Sequence, residues 1–161
     1  MDFDKLIDDL VKLVDEFDPA SLIPELDSLL GKVELLTRTL VMLAPVLLLG
    51  LGLWYFLAPP KEANHSVGYR FYWGMSSVEA WQFMQKVAGI TWTLLGLVLV
   101  IYMTIACAAF RGLELMELVW EAVRCILWEL GLAAASCVLI DLIMVVMFNH
   151  KGIRRNFRIK K

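Results

Sequence analysis

The chain has 161 residues, 60% of them hydrophobic, with a mean hydropathy of +0.68. That apolar share is far above that of a soluble domain, and the length suits one compact unit rather than two soluble domains. The net charge of −2 conceals an asymmetry: residues 1–38 carry ten acidic and four basic side chains, whereas 149–161 carry six basic and no acidic ones.

In chain order, Met1–Phe17 reads as an amphipathic helix. Phe3, Leu6, Ile7, Leu10, Leu13, Val14 and Phe17 recur at helical spacing, and the opposite face is acidic. The acidic start and the lack of an uninterrupted apolar run exclude a secretory signal. Such a face is also repelled by anionic membranes, whose surface helices are usually rich in Lys and Arg. Asp18-Pro19 breaks the pattern, and Ser21–Lys32 reads as a second short helix. The two stripes are expected to bury each other or to pack on the membrane core. The sharper alternative is a docking surface for a cationic partner.

Leu40–Ala58 is the first expected span. No charge falls between Arg38 and Lys61, enough at 1.5 Å per residue for a core of about 30 Å. Pro45 is a candidate kink, and Pro59-Pro60 ends the helix. After the polar approach Lys61–Val67 comes Gly68–Gly89, GYRFYWGMSSVEAWQFMQKVAG. It gathers four aromatics around Arg70. Ser76 with Glu79 three residues on is a capping-box pattern. The helix starting there presents Val78, Trp81, Gln85 and Ala88 on one face and runs into the second span, Val87–Phe110. In that span Gly89, Thr93, Gly96, Val100, Met103 and Cys107 share a face, where small residues permit close helix approach in lipid.

Arg111–Glu129 reads either as an amphipathic interfacial turn or as a long lead-in to the third span, Leu130–Phe148. That span carries Asp141, expected to face the bundle on a stripe with Leu130, Ala134 and Cys137. A carboxylate at such depth costs a few kcal/mol, on the order of 3, unless neutral, paired or wet. Arg70, an interfacial hydroxyl, Thr91 or Thr93 are its candidate partners. The tail, Asn149–Lys161, is basic. The three cysteines (Cys107, Cys125, Cys137) show no metal or CxxC spacing and read as free apolar thiols.

The Gly-aromatic-Arg step, then Met-Ser-Ser, Glu-x-Trp and Lys-x-Ala-Gly, resembles the conserved loop of the SdpI family. The matching positions are Gly68, Arg70, Trp73, Met75, Ser77, Glu79, Trp81, Lys86 and Gly89. The likeness is close over this stretch, looser over the two apolar segments after it, and absent from the first 38 residues. Where family members often carry Thr/Ala and then Asn/His, this chain has Met84 and Gln85. A polar contact made by the first of that pair is beyond Met84. The resemblance implies a small bacterial membrane protein. The family's founding member confers immunity to a secreted toxin and signals by sequestering a repressor at the membrane.

Walker, Rossmann, HExxH and GxSxG patterns are absent, and His65 and His150 flank different spans. The basic tail after a span points to topology and lipid anchoring rather than nucleic acid. The expected protein is therefore an all-α integral membrane protein with three transmembrane helices, an N-terminal amphipathic helical pair (residues 1–38) and an interfacial loop-helix, with no cofactor or metal. Toxin immunity by binding rather than catalysis is the leading expectation. The alternatives are a scaffold that sequesters a cytosolic regulator and a small transporter using Asp141. The candidate binding residues are Arg70, Trp73, Ser76, Glu79, Trp81 and Asp141. The expected partners are the lipid bilayer and a secreted peptide or protein toxin or a cytosolic repressor; self-association stays open. The loop 59–86 and the tail hold nine basic residues together, which puts them in the cytoplasm and the N-terminus outside a bacterial cytoplasmic membrane.

Overall fold

The computed structural model describes residues 19–63 and 67–155, and side chains from residue 28 onward. Among the described residues there are three helices: α1, Pro19–Leu57; α2, Val78–Ala108; and α3, Leu115–Met147. Among the described residues there is no strand, only an isolated antiparallel bridge between Phe148 and Arg154. All three helices are long and apolar enough to cross a membrane, α1 from Ser28. The protein is an all-α multi-pass membrane protein.

The helix expected over Met1–Phe17 lies outside the described residues. Ser21–Lys32 is not a separate helix, because α1 runs unbroken from Pro19 to Leu57. Lys32–Thr39 contains no proline or glycine, so nothing in it interrupts the hydrogen-bond ladder. The chain divides into two compact units, residues 1–36 and 37–161. In the first, Leu29 and Leu30 are exposed rather than buried.

The helices outrun the expected spans. The 31 residues of α2 make about 46 Å and the 33 of α3 about 50 Å, against a hydrocarbon core of about 30 Å. The excess is enough for tilt or for their ends to reach the headgroup layers. Arg111–Glu129 resolves as the lead-in: α3 begins at Leu115, just past a turn at Gly112 with φ +74°.

Small residues set the α1–α2 contact, as their shared face predicts. A Cβ on Gly96 would lie 2.6 Å from the backbone nitrogen of Leu49, and one on Gly89 the same distance from that of Phe56. Gly52 meets the backbone of Thr93 in the same way. Leu49, Gly52 and Phe56 ascend while Gly96, Thr93 and Gly89 descend, so the helices are antiparallel and touch backbone to backbone. Dispersion over such close surfaces is the main attraction between helices in lipid, where no hydrophobic effect drives them together.

Between α2 and α3 the Trp92 indole N–H donates to the Ser136 hydroxyl at 3.1 Å, and that hydroxyl donates to the Ala133 carbonyl at 2.6 Å. The inward stripe of α3 accordingly runs through Ser136, Ile140 and Met144, one step round the helix from the expected one. Leu130 and Ala134 are exposed, while Cys137 and Asp141 sit half-buried at the edge of the interface. One apolar cluster (Tyr55, Trp81, Met84, Ala88, Ile140, Met144, Phe148) forms at the loop end. A second (Val41, Leu99, Met103, Cys107, Phe110, Leu118) forms at the α2–α3 turn.

Gly96→Ala should lower the melting temperature, with an overpacking cost of about 1–3 kcal/mol. Gly50→Ala, whose new Cβ meets nothing within 4 Å, should be neutral or stabilising by up to about 1 kcal/mol. Thermal unfolding of both variants in the same detergent checks the contrast.

Candidate functional site in the loop and its cleft

The loop between α1 and α2 is irregular backbone at the edge of a membrane, and its polar groups need partners there. The first residues of α2 supply them. The Trp81 indole N–H donates to the Pro60 carbonyl at 2.8 Å, and the Gln82 amide donates to the Lys61 carbonyl at 3.3 Å. Gln85 is fully buried and pairs with both backbone groups of Tyr69. It accepts from the Tyr69 N–H at 2.9 Å and donates to the Tyr69 carbonyl at 2.8 Å. Gly68 makes the approach possible. Its φ of +121° is open to glycine, and a Cβ there would lie 2.7 Å from the Trp81 ring.

Held this way, the Tyr69 ring stands edge-on to Trp92, centroids 5.5 Å apart at 87°. Trp92 also meets Tyr55 of α1 at 5.7 Å. The Tyr69 hydroxyl donates to Asp141 Oδ1 at 2.7 Å, with the Cys137 carbonyl at 3.2 Å. The loop and all three helices therefore meet around one tyrosine–tryptophan pair. Burial, and then the hydrogen bond and negative charge of Asp141, push the Tyr69 phenol well above its ordinary range.

The candidate residues separate into two groups. Asp141 and Trp81 are internal: Asp141 takes the Tyr69 hydroxyl rather than Arg70 or a threonine, and Trp81 is fully buried. Arg70 is exposed and forms no ion pair among the described residues. Trp73 is half-buried, edge-on to Phe71 at 6.2 Å, and its indole N–H has no partner among the described residues. The expected capping box does not form. The N-cap is Ser77, extended at φ −154° and ψ 160°, and its hydroxyl accepts from the Ala80 N–H at 3.1 Å. Ser76 is still in the preceding turn, where its hydroxyl donates to the Tyr72 carbonyl at 3.2 Å. Glu79 therefore stays free of the cap and exposed, near the helix N-terminus that favours its charge.

Residues 149–155 fold back onto this loop. The Ser77 hydroxyl donates to the Gly152 carbonyl at 2.7 Å, and Gly152, at φ +69°, leaves no room for a Cβ against Ser77. The Asn149 side chain accepts from the backbone N–H groups of Lys151 and Ile153, at 3.0 and 2.9 Å, which closes the turn. Arg154 then lies over the Phe83 ring, 5.7 Å from its centroid. Between the end of α1, the start of α2 and this arginine opens a cleft of about 640 Å³ that includes Lys61, Glu79, Lys86 and Arg154.

Glu129 escaped the sequence reading, which began the third span one residue later. It is 2% exposed inside α3, and neither carboxyl oxygen has a hydrogen-bond partner among the described residues. Asp141 is thus not the sole acid within the span. The signal was present in the apolar flanks of Leu127-Trp128-Glu129-Leu130. Met84, the departure from the family pattern, is a packing residue: fully buried, it fills the space that a side chain on Gly74 would need.

Tyr69→Phe leaves the Asp141 carboxyl without its donor and should cost about 1–3 kcal/mol at neutral pH. The raised phenol means the folded state holds this proton more tightly than the unfolded one. Its contribution is complete below the ordinary phenol value, about pH 10, and is lost as pH rises above it. Between about pH 8 and about pH 11 the wild type should therefore lose more stability than Tyr69→Phe, as melting curves at the two values would report.

No curated protein and no solved structure matches the chain. The SdpI/YfhL protein family matches over residues 61–148, from the mouth of the cleft to the end of α3. That match covers more than half of the chain and includes Gln85, Tyr69, Trp92 and Asp141. By that match, the chain belongs to the SdpI/YfhL protein family.

Proposed function

We propose that this protein protects the cell that makes it against a secreted peptide or protein toxin, by binding rather than catalysis. The observation that carries this reading is the family match over 61–148, in which the founding member's immunity role is the precedent. The geometry supports binding. Arg70 and Tyr72, the latter 76% exposed, stand outward on a loop whose backbone is tied down by Gln85. A rigid, outward arginine and aromatic ring form the kind of anchor that dominates recognition surfaces. Trp81 and Asp141 act behind that surface as positioning residues.

By the positive-inside rule, the loop and tail face the cytoplasm of a bacterial cytoplasmic membrane. A toxin would then be met after it has entered the bilayer. The same orientation favours a second reading, capture of a cytosolic repressor. The loop and the tail, joined through Ser77 and Gly152, present one continuous surface to that side.

Arg70→Lys separates recognition from support, because an ammonium cannot reproduce the planar fork of a guanidinium. Cells of a sensitive strain expressing either form would be challenged with the secreted products of neighbouring genes. Lost protection with unchanged membrane level and melting temperature is the expected outcome. Equal protection at matched expression would remove Arg70 from the recognition surface, and repressor capture without protection would favour the second reading.

A further inference from the structure

The cleft of about 640 Å³ at the loop end has a charge pattern that toxin binding does not explain. It brings Lys61, Lys86 and Arg154, from the loop, α2 and the tail, around a single carboxylate, Glu79. None of the four forms an ion pair among the described residues, where the salt bridge found is Arg124–Glu121. Three cations gathered from three segments around one carboxylate leave the cleft with a net positive charge. Arg154 is also preset. Its backbone is held in the bridge to Phe148 and its guanidinium lies 5.7 Å from the Phe83 ring centroid. A cation–π contact of this kind holds the guanidinium beside the ring and leaves its N–H groups available to an anion.

Depth identifies the anion. Lys61 ends the charge-free stretch of α1, and Lys86 opens that of α2. The two lysines thus mark the level where hydrocarbon gives way to headgroups. Leu57, 74% exposed, lines the same cleft, and Ile90, 46% exposed, lies one turn along α2 from Lys86. A ligand here meets cations at one end and open apolar helix surface at the other. A soluble anion would use the first feature and leave the second without purpose.

We propose that this cleft binds the headgroup of an anionic phospholipid. Lys61, Lys86 and Arg154 hold the phosphate, the acyl chains lie along the exposed sides of α1 and α2, and Glu79 accepts from a headgroup hydroxyl. With three cations against one carboxylate, the site prefers an anionic headgroup to a zwitterionic one. The proposal does not depend on the immunity reading.

The test uses the full chain, purified in a neutral detergent, with lipid retention counted by native mass spectrometry. Phosphatidylglycerol should be retained in preference to phosphatidylcholine. Lys86→Gln and Arg154→Gln should each weaken that retention about fivefold, the scale of one basic residue at a membrane surface. Melting temperatures matching the wild type's keep the comparison one of binding. Equal retention of the two lipids, or by wild type and a Lys86→Gln/Arg154→Gln double variant, would overturn the proposal. Displacement of phosphatidylglycerol by millimolar inorganic phosphate would also overturn it, by making a free anion the ligand.

Discussion

The pairing of the Gln85 carboxamide with both backbone groups of Tyr69 is the contact on which the loop end depends. A carboxamide carries a donor and an acceptor side by side, so it can complete a peptide unit as a neighbouring strand would. At the edge of a bilayer, where unpaired backbone is costly, that lets an irregular loop lie against a helix. The consequences spread outward from Tyr69. Its ring reaches Trp92, its hydroxyl reaches Asp141, and through Trp92 the loop is tied to Ser136 of α3 and Tyr55 of α1. Few of these contacts are strong singly, since polar contacts between helices in lipid are worth about 0.6–2 kcal/mol each. They act together because they share residues.

The two acids within α3, one buried and one half-buried, show how differently the same group can be accommodated. Asp141 lies at the rim of the helix interface, within reach of a hydroxyl lowered onto it by the loop. Glu129 lies deeper, between the helices, with no hydrogen bond among the described residues. An acid in that setting is costly to retain, and intramembrane acids of this kind mark working positions more often than structural ones. The family match includes both.

The tail and the loop form one surface. Ser77 serves at once as the cap of α2 and as the donor to Gly152, so the start of one helix and the segment after another are set by a single hydroxyl. This is how basic groups from separate segments come together at one end of the bundle. Lys61, Lys86 and Arg154 are far apart in sequence and adjacent in the cleft.

The sequence by itself determined the elements and their environment. Charge-free runs bounded by Arg38 and Lys61, and by Lys86 and Arg111, mark membrane helices because a charge in hydrocarbon is so unfavourable. The face of Gly89, Thr93 and Gly96 marked a surface for close helix approach, and the tertiary structure made α1 its partner. The loop wording of Gly68, Arg70, Trp73 and Glu79 was enough to indicate the family. Only the tertiary structure decided which polar groups meet. Whether Ser76 or Ser77 caps α2 turns on one residue of backbone direction, which propensity does not resolve. The inward stripe of α3 runs through Ser136, the acceptor of the Trp92 indole, rather than through Ala134. The pairing of Gln85 with Tyr69, and of Tyr69 with Asp141, joins positions 16 and 72 residues apart. A single sequence records which residues can hydrogen-bond, while partners so distant are chosen by how the helices pack.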